Sequence, residues 1–327
     1  MSFDNIKLEK GLYTTGKSFT DALESIDPSE NYKGTSLEGL DAYERQLKRF
    51  DIKVSGTNSD CISKFFATTD SAALFPEYIS RAVSTGVEIN NTVNDIVATV
   101  TNIDSLDYRS IYVTNKNEDY YVQETNEGAE LPEIKITLDS KLTELKKYGK
   151  MISASYEAIK YQKLDLFTTI LKRIGTSIAY KEFIDAMAII SGDDIEVVSK
   201  VGSTLCYQDL VALWSNCQPF TMNTLICTTK ILPALLSLPE FTDSNAGLTF
   251  HGNGQIGTLM GANMIVVPED VNAIIGFDKN YAVEKVQVGG VMTEFDKLID
   301  RQLERATVST ITGFNAIYKD SISMLGV

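Results

Sequence analysis

The hydrophobic and polar positions of this chain read as helix-period stretches in its first two thirds and strand-like runs toward its end. Ser18 is placed to cap a helix over Phe19–Ile26, which the Asp27-Pro28 step ends. A Gly-containing turn follows at 31–36. Leu37, Leu40, Tyr43, Leu47 and Phe50 then recur at spacings of three or four and predict a second helix. Asp41 precedes Arg45 by four residues, and Glu44 precedes Lys48 likewise, the orientation that supports a helix surface. The apolar stripe requires a partner, whether the chain's own body, a neighbouring subunit or a scaffold protein. Residues 55–70 are a polar connector. A short helix is expected over 75–85 with Pro76 in its first turn, followed by β-branched runs at 93–100 and 111–113.

Residues 114–135 break the pattern. A polar tip at 114–119 leads to a strand-like Tyr120-Tyr121-Val122-Gln123 and a second polar stretch at 124–132. Five carboxylates, Glu118, Asp119, Glu124, Glu127 and Glu130, accompany few apolar residues. A two-stranded excursion of this kind is marginal alone in water, and long irregular excursions usually serve function or are disordered. Extended character resumes at 134–138 and 147–155. The longest helix is predicted over Leu164–Ile190, where Leu164, Phe167, Leu171, Ile174 and Ile178 alternate spacings of three and four. Asp165 suits its first turn, and Ser191-Gly192 ends it. Gly175, followed by Thr176 and Ser177, marks a place for a bend. Residues 200–275 alternate helix and strand, with helices at 207–217 and 229–236 and strands at 225–228 and 264–267. From Tyr281 onward strands are expected, with a charged helical segment at 294–304 between them. No internal repeat or low-complexity tract is present.

The length of 327 residues suits one large or two modest domains. Thirty basic against 44 acidic residues give a net charge of −14. That balance excludes wrapping nucleic acid by phosphate neutralisation, and suits an ordinary acidic protein or a wall that repels DNA. Cys61, Cys206, Cys217 and Cys227 form no C-x-x-C pair and read as thiols of a reducing compartment. Met1-Ser2-Phe3-Asp4-Asn5 has neither a basic start nor an apolar run, so no signal peptide is expected. No apolar run is long enough to span a membrane.

Candidate chemistry is sparse. Gly252-Asn253-Gly254-Gln255-Ile256-Gly257 matches the dinucleotide fingerprint, but a turn and a strand follow it where the fingerprint needs a helix. His251 is the only histidine and has no nucleophile context beside it. The acidic pairs Glu118-Asp119, Asp193-Asp194 and Glu269-Asp270 lie beside turns, without EF-hand spacing. No catalytic, cofactor-binding or metal residue is assigned, and no cofactor is expected.

Three stretches of the last third carry a family resemblance. Gly257-Thr258-Leu259-Met260-Gly261-Ala262-Asn263-Met264-Ile265-Val266-Val267-Pro268 sets a glycine turn before an apolar strand. Gly276-Phe277-Asp278-Lys279 sets a glycine before an aromatic-acidic-basic step and a further strand. Glu294-Phe295-Asp296-Lys297-Leu298-Ile299-Asp300 and Arg301-Gln302-Leu303-Glu304-Arg305-Ala306 run into a last strand at Val308-Ser309. In this order the chain resembles the tailed-bacteriophage (Caudoviricetes) major capsid proteins, whose fold is the Hong Kong 97 fold, over residues 60–325.

The resemblance implies an α+β fold. Its parts would be an N-terminal helical segment at 1–54, an N-terminal arm at 55–90 and a peripheral part at 91–199. That peripheral part would hold an extended loop at 110–150 and a spine helix at 164–190. An axial domain at 200–276 and a peripheral return at 277–327 would follow. The implied function is structural rather than enzymatic: self-assembly into hexamers and pentamers of an icosahedral head around double-stranded DNA. An encapsulin-type nanocompartment shell is the alternative, and the helical first sixty residues suit it. The implied partners are other copies of the chain, a portal protein, separate scaffolding and decoration proteins, and DNA held by confinement, with no membrane. The implied location is the virion capsid, assembled in the bacterial host cytoplasm. The segment before the arm is too short for the internal scaffold of some relatives. Lys116, the only lysine near the loop tip, does not establish the cross-link of others. Intersubunit contacts are expected at Glu118, Asp119, Tyr120, Tyr121, Val122, Glu124, Glu127 and Glu130, facing basic side chains such as Lys172 and Arg173.

Overall fold

The computed structural model describes residues 3–8, 12, 18–89, 91–113, 124–129, 131, 136–192, 194–242, 260–267, 272–298, 300 and 303–327. The helices in chain order are α1 (Phe19–Ile26), α2 (Ala42–Arg49), α3 (Thr69–Ala72), α4 (Phe75–Ile89), α5 (Tyr156–Tyr161), α6 (Leu164–Ile190), α7 (Tyr207–Asn216), α8 (Leu232–Leu236) and α9 (Pro239–Thr242). The strands are β1 (Thr99–Ile103), β2 (Ile111–Val113), β3 (Ile136–Leu138), β4 (Lys146–Ser155), β5 (Glu196–Val198), β6 (Thr224–Thr228), β7 (Asn263–Val267), β8 (Ala273–Phe277), β9 (Val283–Val288), β10 (Met292–Leu298), β11 (Leu303–Ala316) and β12 (Ile322–Gly326). The chain divides into two units, and α6 and β11 contribute residues to both.

The first unit comprises Met1–Asn91, Lys147–Tyr180 and Gly290–Thr310. Ser18 opens α1 by accepting from the Asp21 amide at 3.1 Å. α2 begins later than the apolar stripe predicts. Asp41 and Glu44 each accept from the other's amide, at 2.8 and 3.1 Å, and this reciprocal cap fixes the start. Tyr43 and Leu47 join the buried cluster that holds Phe75, Ile79 and Leu171, so the stripe's partner is the chain's own body. Arg45 is fully buried rather than a surface partner of Asp41. Its guanidinium donates to the Asp27 carboxylate at 3.0 Å, to the Leu40 carbonyl and Ser29 hydroxyl at 2.8 Å each, and to the Asp27 carbonyl. Asp41 instead meets Arg81 of α4 at 2.7 Å, and Arg81 also bonds Thr20 and Glu77. One side chain thereby ties α1 and α2 to α4.

The charged stretch at 294–304 is not helical. β10 pairs antiparallel with the first part of β11, Phe295 opposite Ala306 and Asp296 opposite Arg305. The period is two: Met292, Glu294 and Asp296 are exposed, whereas Phe295 meets Phe75 edge-on at 5.6 Å. Burial of Phe295, Ala306 and Val308 on one face outweighs the helical character of the charged residues between them.

The second unit comprises Thr92–Lys146, Lys181–Gly289 and Ile311–Val327. Its larger sheet runs β5-β12-β8-β6-β7, with parallel pairs at both edges and antiparallel pairs between. Successive residues serve opposite faces. Leu225, Cys227, Ile274 and Leu325 pack with Leu210 and Leu213 of α7 and Leu235 of α8. Ile226, Ile275, Phe277 and Ile322 pack with Phe183, Ala186, Met187 and Ile190 at the end of α6. Burial on both faces explains the continuous apolar runs of β6 and β8. Beside it, β1 runs parallel to β9, and β9 antiparallel to the last part of β11. Helix α8 is shorter than predicted and carries a proline in its first turn. All four cysteines are free. Burial pushes the Cys217 thiol up to about 12 and that of Cys227 up to about 11, so neither is a nucleophile near neutral pH.

Candidate assembly surfaces

The polar excursion lies between β1 and β4 in the chain, and its base is anchored. Glu284 on β9 is buried and accepts three hydroxyl hydrogen bonds: Thr101 at 2.5 Å, Tyr108 at 2.7 Å and Ser110 at 2.5 Å. Hydrogen bonds to an ionised acceptor are short and strong, so this carboxylate holds the departing chain against the sheet. Burial, with Glu284 beside it, raises the Tyr108 hydroxyl above its ordinary pKa and keeps it a donor. On the returning side, the Thr143 amide donates to the Tyr108 carbonyl at 2.9 Å and that of Asp139 to Ser110 at 2.8 Å. This anchor has no local signature, because Glu284 lies more than 170 residues from Tyr108 and Ser110.

Past the anchor, β2 and β3 pair antiparallel with Ile111 opposite Leu138. Both side chains are uncovered, at 54% and 69% exposure. Leu106, Leu131 and Leu142 are exposed as well. Of these exposed apolar side chains Leu131 lies within 114–135, and the others flank that stretch. Glu124 and Glu127 are exposed on it. Glu118, Asp119, Tyr120, Tyr121, Val122, Glu130 and Lys116 lie outside the described residues.

In the first unit, Arg173 is exposed on α6 and Lys172 is half-buried. Leu166, Ile170, Arg173 and Ser177 form an outward stripe at helical spacing, apolar at its start. Gly175 lies on the opposite side, against the backbone of α4.

The residues weighed for chemistry do not form a site among the described residues. His251, the 252–257 glycine stretch, Asp193, Glu269 and Asp270 lie outside them. Asp194 is exposed and pairs with Lys319 at 2.7 Å. No group of three or more His, Cys, Asp or Glu side chains fit to hold a metal occurs among the described residues. No helix among them is long and apolar enough to cross a membrane.

A family model described as phage capsid protein matches residues 139–317, more than half of the chain. The chain belongs to the phage capsid protein family. A second model, described as the phage capsid family, matches residues 72–201 of this capsid protein. Comparison with curated proteins gave no match. Among solved structures, a virus-like particle from Pyrococcus furiosus is 16% identical, with a TM-score of 0.53 over 76% of this chain and 98% of that one. The capsid of a native GTA particle is 15% identical, with a TM-score of 0.54 over 72% and 90%. The capsid of Cyanophage P-SCSP1u is 14% identical, with a TM-score of 0.51 over 71% and 86%. The fold of this capsid protein is accordingly the α+β Hong Kong 97-type capsid fold. It is a structural component of a shell, and its fold is one that self-associating capsid subunits share.

Proposed function

We propose that this capsid protein is the major subunit of a tailed-phage head, forming the hexamers and pentamers of an icosahedral shell around double-stranded DNA. The observation that carries the reading is the anchored excursion. Its base is fixed by Glu284, yet Ile111 and Leu138 beyond the anchor remain uncovered by their own subunit. Apolar pairs held out on a rigid base suit a surface that a neighbouring copy covers. In this reading Tyr120, Tyr121 and Val122 join the contact. Glu118, Asp119, Glu124, Glu127 and Glu130 face basic groups of the neighbour such as Lys172 and Arg173. The segments at 110–150, 164–190 and 200–276 serve as extended loop, spine helix, with a bend at Gly175, and axial domain. With a net charge of −14, DNA is held by confinement. A portal protein admits it, and separate scaffolding and decoration proteins are further partners.

A nanocompartment shell around a protein cargo is the second reading, and the helical N-terminal segment is the observation in its favour. The stripe of α2, however, is spent inside its own unit and is not free for cargo. Electron microscopy of purified particles, with nuclease treatment and mass spectrometry of their contents, separates the two. Closed shells holding double-stranded DNA are expected. Shells holding an enzyme would favour the second reading, and a protein monomeric at every concentration would overturn both.

A further inference from the structure

Between Lys200 and Lys230 the chain carries one charged residue, Asp209. That residue is fully buried. Its carboxylate accepts from the Val201 amide at 2.8 Å and the Cys206 amide at 2.9 Å, closing the turn before α7. The surface of this whole stretch is therefore uncharged, on a chain with an excess of fourteen negative charges.

Helix α7 displays that neutral surface. Its inner face, Leu210 and Leu213, is buried on the sheet. Its outer face is Gln208, Val211, Trp214 and Ser215, all exposed, with Gln218 just beyond the helix. Val211 and Trp214 are each 38% exposed, and Trp214 is the only tryptophan of the chain. Centres of protein interfaces are depleted of charge and enriched in tryptophan, and tryptophan is the residue most often dominant in binding energy.

We infer that the outer face of α7, centred on Val211 and Trp214, seats against a second copy of this chain. The inference rests on the reading of the chain as a shell subunit and names one of its contact surfaces. The charge pattern selects the occupant. Copies of a strongly acidic chain repel one another, and a symmetric assembly repeats any like-charge contact at every subunit. A neutral patch removes that repulsion where copies meet. A basic partner would instead select an acidic patch, and this stretch presents none.

Trp214 reports on its own contact. The full-length protein is compared as free subunits and as assemblies, separated by sedimentation, using tryptophan emission and acrylamide quenching. On assembly the emission maximum shifts to shorter wavelength and quenching falls. Val211→Lys abolishes assembly, while the far-UV dichroism of the free subunit is unchanged. Val211→Thr, neutral and of similar shape, assembles. Shells whose tryptophan emission and quenching match the free subunit would overturn the α7 contact and leave the shell reading intact. Small oligomers with a shielded tryptophan would support the contact and overturn the shell. No association at any concentration would overturn both.

Discussion

Gly86 on α4 and Gly175 on α6 mark a point where two helix backbones nearly touch. A Cβ added to Gly175 would lie 2.1 Å from the Val83 carbonyl oxygen, and one added to Gly86 would lie 2.2 Å from that of Lys172. Both obstacles are backbone, so neither can swing aside. Thr176 adds a hydroxyl contact to the Gly86 carbonyl at 3.4 Å. Gly175→Ala or Gly86→Ala should each destabilise the subunit by about 1–3 kcal/mol or more, the cost of overpacking a tight contact. The double variant should lose less than the sum, because one methyl already forces the helices apart. Urea denaturation of the four proteins checks this, and a wild-type midpoint for either single variant would contradict it.

Arg45 and Asp27 form a buried ion pair at 3.0 Å, at 0% and 1% side-chain exposure. Removing one partner of such a pair strands the other's charge and costs about 3–5 kcal/mol. Arg45→Met should accordingly unfold the α1–α2 segment or lower the denaturation midpoint sharply. Arg45→Lys should not restore it, since one ammonium cannot reach the four acceptors that the planar guanidinium meets. The same packing predicts that the first sixty residues stay in the finished particle, because Phe19, Leu23 and Leu47 belong to the core cluster of Phe75 and Leu171. N-terminal sequencing of mature particles that began near Ser55 would refute this.

Long apolar periodicity was the legible part of the fold. Helices α1 and α6 begin and end where Ser18, Asp27 and the Leu164–Ile190 stripe place them, because cap chemistry and a sustained stripe are local signals. The Asp41 and Glu44 pair was visible too, but it carries two meanings. Read as surface pairs with Arg45 and Lys48, it hid the reciprocal cap that starts α2. The dense charges of the β10–β11 hairpin favour a helix over 294–304, where the chain forms paired strands. The alternation of Thr293 and Phe295 with Glu294 and Asp296 held the right answer. The anchor at Glu284 was not legible at all, since it joins that carboxylate to the hydroxyls of Thr101, Tyr108 and Ser110, all more than 170 residues away along the chain. The uncharged stretch before Lys230 was legible as a sequence, but its meaning depended on finding Asp209 buried.

Asp209 gives the second unit a pH dependence of known sign. Burial opposes its charge, but hydrogen bonds from the Val201 and Cys206 amides and the Cys206 thiol hold its carboxyl below the ordinary 3.8. A folded pKa below the unfolded one stabilises at pH above the unfolded value, and the gain is lost as pH falls through the folded value. Wild-type subunits should therefore lose stability in acid below pH 3.8, and Asp209→Asn should flatten that loss while lowering stability at neutral pH. Thermal melts between neutral pH and strong acid measure both. An unchanged acid slope in the variant would show that Asp209 does not contribute to it.

The excursion should matter to assembly and not to the fold of the subunit. Its base hangs on Glu284 through Tyr108 and Ser110, so residues beyond β2 and β3 can be shortened without touching the anchor. A two-stranded ribbon gains too little from its own packing to offset the entropy of ordering it, and Ile111 and Leu138 are not covered at home. Replacing residues 128–132 with a short Gly-Ser link should leave a folded subunit with a near-normal melting curve. On the proposed reading shell formation should weaken, because the link would disturb a contact in which a neighbour covers the apolar pair. Glu124 and Glu127 stand exposed beside the replaced stretch. Exposed ion pairs are worth only about 0–1 kcal/mol each, but every subunit repeats them. Salt screens charges over roughly 8–10 Å at physiological strength and over shorter distances as salt rises. The variant, left with less apolar contact, should therefore fall apart at lower salt than wild type. Light scattering across a salt series measures this directly. Unfolding of the variant subunit would place the excursion in its own core, and shells of unchanged salt stability would show that it joins no neighbour.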